Sequence, residues 1–208
     1  MRLRLPLIGR HNVMNAMAAL AAASVWGVGA QEAKRVFPML TPADKRGEVV
    51  RFEDGFTVIN DSYNSSPAAL SALLGLLATT PGYHRRIVAA GEMLELGDSS
   101  EELHRECGRA AAALGRIDWL FGVQGYALDF IEAAIAAGHP RERAKFFENS
   151  QEAAKFFVDF MTPGDLLLLK GSRGTRMERI LEALDALRRR TDTKGAPEAL
   201  GAGRKVRT

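Results

Sequence analysis

From Glu48 onward, short apolar runs alternate with longer helix-like ones, and this alternation restricts the fold more than any other feature of the sequence. "EVVRF" (48–52) and "FTVIN" (56–60) flank Glu53-Asp54-Gly55, a hairpin signal. Four helix-then-strand units follow: "PAALSALLGLLATT" into "RRIVAAG", "SSEELHRECGRAAAALG" into "IDWLFGV", "GYALDFIEAAIAAG" into "AKFFE", and "SQEAAKFFVDFM" into "DLLLLKG". "TRMERILEALDALRRR" closes the series. Strands that are apolar throughout must be covered on both faces, which implies a mostly parallel sheet between helical layers. The hairpin leaves one strand antiparallel. The expectation is an α/β domain over residues 46–189, doubly wound, with a sheet of about six strands.

The flanks read differently. After a short strand-like start, "HNVMNAMAALAAASVWGVG" is an Ala-rich helix closed by Gly27 and Gly29, "QEAKRVFPML" is a second helix, and "TPADKRG" is a linker. One strand and two helices cannot enclose a core alone, so residues 1–45 read as the remnant of a second domain plus linker. A sequence that starts in mid-architecture reads as a fragment. The formal net charge of +3 resides in residues 190–208, where Arg190, Lys194, Arg204, Lys205 and Arg207 face only Asp192 and Glu198. That Gly/Ala/Thr-rich segment reads as a disordered basic tail. The rest is formally neutral, which argues against a nucleic-acid partner. The single cysteine, Cys107, excludes an internal disulfide and a multi-cysteine zinc site. No apolar run reaches the roughly 20 residues that span a bilayer, and the N-terminus breaks at Pro6 and Gly9 before a signal peptide could develop. A cytoplasmic protein with no membrane partner is expected.

Ligands of open α/β sheets bind beyond the carboxyl ends of the strands, and three such loops are unusually polar. In the first, Asn60 to Pro67, Asp61 can accept hydrogen bonds from a ribose diol, while Tyr63 or Asn64 can reach a phosphate near a helix N-terminus. The alternative makes Asp61, Ser65 or Ser66 a helix cap. In the second, residues 91–100, Glu92, Glu95 and Asp98 precede His104, which suits either a magnesium site or general base, or a solvated acidic loop that caps a helix. In the third, Lys170, Ser172, Arg173 and Arg176 surround Gly171 and Gly174 at a helix start. That is an anion site if amides and cations converge, and a solvated glycine turn otherwise. It is not a G-x-x-x-x-G-K-[ST] phosphate loop, which occurs nowhere in the chain. Cys107 and the phenylalanines at 146, 147, 156, 157 and 160 read as packing.

Five stretches carry a family resemblance: "GRHNVMNAMAAL" (9–20), "RGEVV" (46–50), "INDSYNSSPAAL" (59–70), "GEMLELG" (91–97) and "LLKGSRGTRME" (168–178). In this order and spacing, over about residues 5–188, the chain resembles the Mur ligases. The D-S-Y-N-x-x-P and K-G-S-R-G-x-R-M-E stretches are similar to those of the member that adds D-Ala-D-Ala to UDP-N-acetylmuramoyl-tripeptide in peptidoglycan precursor synthesis. The resemblance implies a Rossmann-like C-terminal ligase domain at 46–189, preceded by the end of a central ATPase domain at 1–45. The family's phosphate loop, magnesium-binding acids and UDP-substrate domain have no counterpart here, so the chain alone is not expected to complete a ligation cycle.

The resemblance also implies roles. His11, Asn12 and Asn15 lie against adenine, Arg46 contacts the phosphates or ribose, Asp61 holds the ribose, and Asn64 faces the γ-phosphate. Lys170, Ser172 and Arg173 are placed near D-Ala-D-Ala, and Asn64, Lys170 and Arg46 are the expected catalytic groups. The cofactors are ATP and Mg2+, with the Mg2+ ligands in the part not represented. The partners are the two peptidoglycan substrates and the absent domains. A free-standing Rossmann-like module that binds a nucleotide or anion without turnover remains an alternative, as does an interaction protein that docks through its basic tail.

Overall fold

The computed structural model describes residues 3–191 of the 208-residue chain. Two helices come first, α1 (Arg10–Ser24) and α2 (Ala30–Val36), and a 3-10 turn at Phe37–Met39 follows where Pro38 cannot supply a further helical N–H. The hairpin is β1 (Glu48–Arg51) and β2 (Thr57–Asp61), with Gly55 at φ 88°. Phe52 and Phe56 stack across its turn, ring centroids 4.3 Å apart. Then α3 (Pro67–Thr79) leads to β3 (Arg85–Gly91), and α4 (Ser100–Ala113) leads to β4 (Trp119–Val123). The helix α5 (Ala127–Ala136) leads to β5 (Ala144–Phe147), and α6 (Ser150–Phe160) leads to β6 (Asp165–Lys170). The closing helix is α7 (Glu178–Leu187).

The six strands form one sheet in the order β1-β2-β6-β3-β4-β5, parallel except for the β1–β2 pair. This is the architecture that the alternating sequence implies. The chain's period of two along each strand divides the core. Leu167 and Leu169 join Phe157, Ile180 and Leu184 under α6 and α7, while Leu166 and Leu168 join Leu74 and Phe130 under α3 and α5. Each such leucine is 0% exposed, and its burial is worth about 1.5–3 kcal/mol. Between α4 and α5 the backbones approach so closely at Gly108 that a Cβ there would lie 2.1 Å from the Phe130 carbonyl oxygen.

Two expectations are corrected at the ends. Residues 3–8 form no strand, because no neighbouring strand among the described residues completes a ladder with them. Ile8 instead packs against the α3-side core and against Gly47, 3.0 Å from where a Cβ would stand. The tail assigned from 190 also begins with paired backbone. Arg190 bridges Phe52 antiparallel, and the Thr191 amide donates to the Arg51 carbonyl. The rest of that disorder expectation lies outside the described residues.

Strands β2 and β6 are neighbours, yet the chain leaves them toward opposite faces, into α3 and α7. Loops that diverge from adjacent parallel strands leave an opening between them.

Candidate functional site

The opening is occupied at its floor by an ion pair that the register creates. Asp61 and Lys170 are the last residues of β2 and β6 and are direct partners across the ladder. Their side chains share the face of Ile59 and Leu168, toward α3. Lys170 is 2% exposed, and its Nζ donates to Asp61 Oδ2 at 2.7 Å, to the Asn64 carbonyl at 2.5 Å and to the Asp61 carbonyl at 3.5 Å. Asn60 is buried for a different purpose. Its Nδ2 donates to Glu48 Oε2 and its Oδ1 accepts from the Ser62 hydroxyl, which fixes the strand end.

The turn after β2 explains the run of polar residues before α3. Ser66 is the cap, its Oγ accepting from the Ala69 amide, and Pro67 occupies the first helical turn. Asp61 is not the cap. That leaves Ser65 free for something else: its side-chain oxygen is buried and has no hydrogen-bond partner, although the residue lines the opening. A buried hydroxyl without a partner is costly unless a ligand satisfies it. The linker side is held by the Tyr63 amide, which donates to the Lys45 carbonyl, and by the Arg46 guanidinium, 4.1 Å from the Tyr63 ring centroid. That separation suits a cation–π contact.

These groups line one cleft of about 290 Å³. His11, Asn12 and Asn15 reach it from the start of α1, Arg46 from the linker, Asp61, Tyr63, Asn64, Ser65 and Ser66 from the turn, and Lys170 from β6. Seven of the nine residues expected from the sequence therefore converge. The Asn12 Nδ2 donates to the Ile8 carbonyl at 2.7 Å, which turns that amide and steadies the N-terminal segment. With Arg46, the positive end of the α3 dipole and an unpaired hydroxyl, the cleft suits a ligand that carries an anionic group beside hydroxyls.

Ser172 and Arg173 do not line it. Ser172 is 3% exposed and stitches the β6 loop to the β3 loop: its amide donates to the Glu92 carbonyl, its Oγ accepts from the Leu94 amide, and its carbonyl accepts from the Thr175 hydroxyl. Arg173 faces a separate cavity of about 70 Å³, bordered by Asp44, Lys45, Ser62, Tyr63 and Glu178. There Lys45 pairs with Glu178 at 3.1 Å.

The acidic loop also resolves into structural parts. Glu92 accepts from the Tyr126 amide at the start of α5. His104 is 1% exposed, receives the Met93 amide at Nε2 and contacts the Ser100 carbonyl through Nδ1, so the ring is a satisfied core group. Burial pushes the Cys107 thiol up to about 11, which keeps it protonated and unreactive. Among the described residues, no group of three or more His, Cys, Asp and Glu could hold a metal ion, and no helix is long and apolar enough to cross a membrane.

Sequence reasoning treated Ser65 only as a possible cap and did not pair Arg46 with Tyr63. The first was legible in principle, since two adjacent serines before a proline can supply just one cap.

Comparison with known proteins fixes the class. Residues 45–173 match the family model of the Mur ligase, glutamate ligase domain, and the chain belongs to this family. It is 34% identical over 180 residues to the UDP-N-acetylmuramoyl-tripeptide–D-alanyl-D-alanine ligase of Bacillus subtilis, covering 86% of this chain and 39% of that protein. It is 31% identical over 186 residues to the Escherichia coli ligase of the same name, covering 86% and 38%. Among solved structures, MurF of Acinetobacter baumannii superposes with a TM-score of 0.76 at 31% identity, covering 88% of this chain and 39% of that one. A Thermotoga maritima MurF structure, in complex with ADP, shares the fold with a TM-score of 0.69 at 24% identity and covers 86% and 39%. The chain thus spans about 39% of the length of these relatives.

Proposed function

We propose that this chain is the C-terminal part of an ATP-dependent ligase that joins D-Ala-D-Ala to UDP-N-acetylmuramoyl-tripeptide. In this reading residues 1–45 end an ATPase domain, residues 46–189 are the ligase domain, and residues 190–208 are an appended tail. The observation that carries the reading is the cleft of about 290 Å³, in which His11, Asn12, Asn15, Arg46, Asp61 and Asn64 meet from three separate segments. The names of the relatives support the substrates, and the ADP bound by one protein of similar fold supports the nucleotide. The exposed apolar residues Met14, Met17 and Trp26 on and after α1 are where the remainder of an ATPase domain would pack.

The reaction is phosphoryl transfer from ATP to the tripeptide carboxylate, giving ADP and an acyl phosphate. Attack by the dipeptide amine on the acyl carbon forms a tetrahedral intermediate, which expels phosphate and loses a proton to give the amide. This chain contributes one side of the nucleotide site. The α1 residues lie against the base, Asp61 accepts from the ribose hydroxyls, and Arg46, Ser65 and the α3 N-terminus face the phosphates. Such groups act by positioning and by offsetting charge rather than by covalent chemistry. No group of three or more His, Cys, Asp and Glu among the described residues would hold Mg2+, and this reading assigns its ligands to the rest of the enzyme.

Fused behind a phosphate-loop domain of this family, the chain should release ADP only when both UDP-N-acetylmuramoyl-tripeptide and D-Ala-D-Ala are supplied. The 208-residue chain alone should not. ADP release that required a different amino component in place of the dipeptide would overturn the reading.

A further inference from the structure

The family resemblance groups Lys170 with Ser172 and Arg173 as one set near the incoming amino component, but the fold separates them. Lys170 is 2% exposed at the floor of the cleft, and an ammonium has three N–H donors. Three acceptors already surround it: Asp61 Oδ2 at 2.7 Å, the Asn64 carbonyl at 2.5 Å and the Asp61 carbonyl at 3.5 Å. No N–H is left for a phosphate or a carboxylate.

We infer that Lys170 is a positioning residue, which fixes the Asp61 carboxylate and clamps the 61–64 turn so that the cleft is shaped before a ligand enters. Two consequences follow from the geometry. With Oδ2 held by the ammonium, Asp61 keeps Oδ1 for a ligand hydroxyl. Lys170 also offsets the Asp61 charge, so a carboxylate can stand beside an anionic ligand, and the net attraction for phosphates comes from Arg46 and the α3 N-terminus. The second consequence rests on the nucleotide reading of the cleft, whereas the clamp itself does not.

The test uses the 208-residue chain with Lys170→Met, Lys170→Gln, Asp61→Asn and the double variant Lys170→Met/Asp61→Asn. Hydrogen exchange is measured without ligand, and ADP is titrated into each variant. Lys170→Met should speed exchange at amides 61–65 at least tenfold while β3 and β4 keep their protection. Lys170→Gln, which retains two N–H donors, should restore part of it and substitutes for the Met variant if that does not fold. ADP binding should weaken about tenfold in Lys170→Met, but only about threefold further when Asp61 is already Asn, because the clamp on the turn is still lost there while the carboxylate that the lysine positions is already gone. Unchanged exchange at 61–65, or losses of ADP binding that multiply independently, would mean that Lys170 meets the ligand directly and would overturn the inference. Failure of the unsubstituted chain to bind ADP at all would count against the nucleotide reading, and the exchange comparison would still decide the role of Lys170.

Discussion

In a complete ligase that carries this chain, Asp61→Asn should lower kcat/KM for ATP by roughly ten- to a hundredfold, with KM bearing most of the change. The substitution keeps an oxygen for the Lys170 ammonium, so the turn after β2 retains its anchor. With that oxygen held by the ammonium, the other carboxylate oxygen, which the proposed reading offers to a ribose hydroxyl, is replaced by an NH2 group that cannot accept a hydrogen bond. A hydrogen bond to a charged acceptor is worth about 1.5–3 kcal/mol, which sets the expected range. Helix capping does not enter, because Ser66 caps α3 and Asp61 does not. Steady-state kinetics against ATP, paired with thermal melts of the same protein, separates the two effects. A melting temperature that falls while kcat/KM stays within twofold would show that Asp61 serves the fold rather than the nucleotide.

Asp165→Ala should destabilise the domain by about 3 kcal/mol, a large share of the 5–15 kcal/mol that holds a typical domain together. Asp165 opens β6 and is 0% exposed, and its carboxylate receives Arg85 in a two-pronged contact, Nε to Oδ1 at 2.6 Å and Nη2 to Oδ2 at 2.5 Å. The same oxygen accepts from the Thr162 amide. The hydrogen bonds to Asp165 raise the Arg85 pKa above its ordinary value, and because a guanidinium is charged at neutral pH even without them, loss of Asp165 leaves an unpaired charge. The expected value lies at the lower end of the 3–5 kcal/mol for a broken buried pair, because the Arg85 side chain is 27% exposed and recovers some water. Arg109→Ala is the control. Its partner Glu102 is exposed, and such pairs contribute about 0–1 kcal/mol. Urea denaturation of both variants checks the contrast. Equal costs would mean that burial does not set the strength of these pairs.

The sheet was legible because its strands are written as uninterrupted apolar runs. "DLLLLK" becomes a strand buried along its whole length, and the turn at Glu53–Gly55 makes the hairpin that the sequence signals. The antiparallel edge followed directly from that turn. The N-terminal segment was misread, since a strand-like composition forms a strand only when another strand completes its hydrogen bonds. In the site, chemical type was legible and direction was not. Lys170, Ser172 and Arg173 are consecutive or nearly so, yet Lys170 still obeys the strand's alternation and points under α3. Ser172 lies past the strand end and turns toward the β3 loop, and Arg173 points to another cavity. The exchange of roles between Ser65 and Ser66 has the same origin: either can cap α3 by type, and only backbone geometry selects Ser66. The convergence of α1 with the turn after β2 depends on contacts between residues about 50 apart, which local periodicity cannot encode.

The most direct measurement is a titration of the 15N-labelled 208-residue chain with ADP, followed amide by amide. The account predicts saturable shifts at Asn12, Asn15, Arg46, Asp61 and residues 63–66, which border the cleft. The dissociation constant should be about 1 mM, near −4 kcal/mol, because the proposed contacts are to base and ribose and the sequence has no G-x-x-x-x-G-K-[ST] phosphate loop. Shifts confined to the surface formed by Glu53, Asp185 and Arg188 to Arg190, or no shifts at about 10 mM ADP, would contradict it.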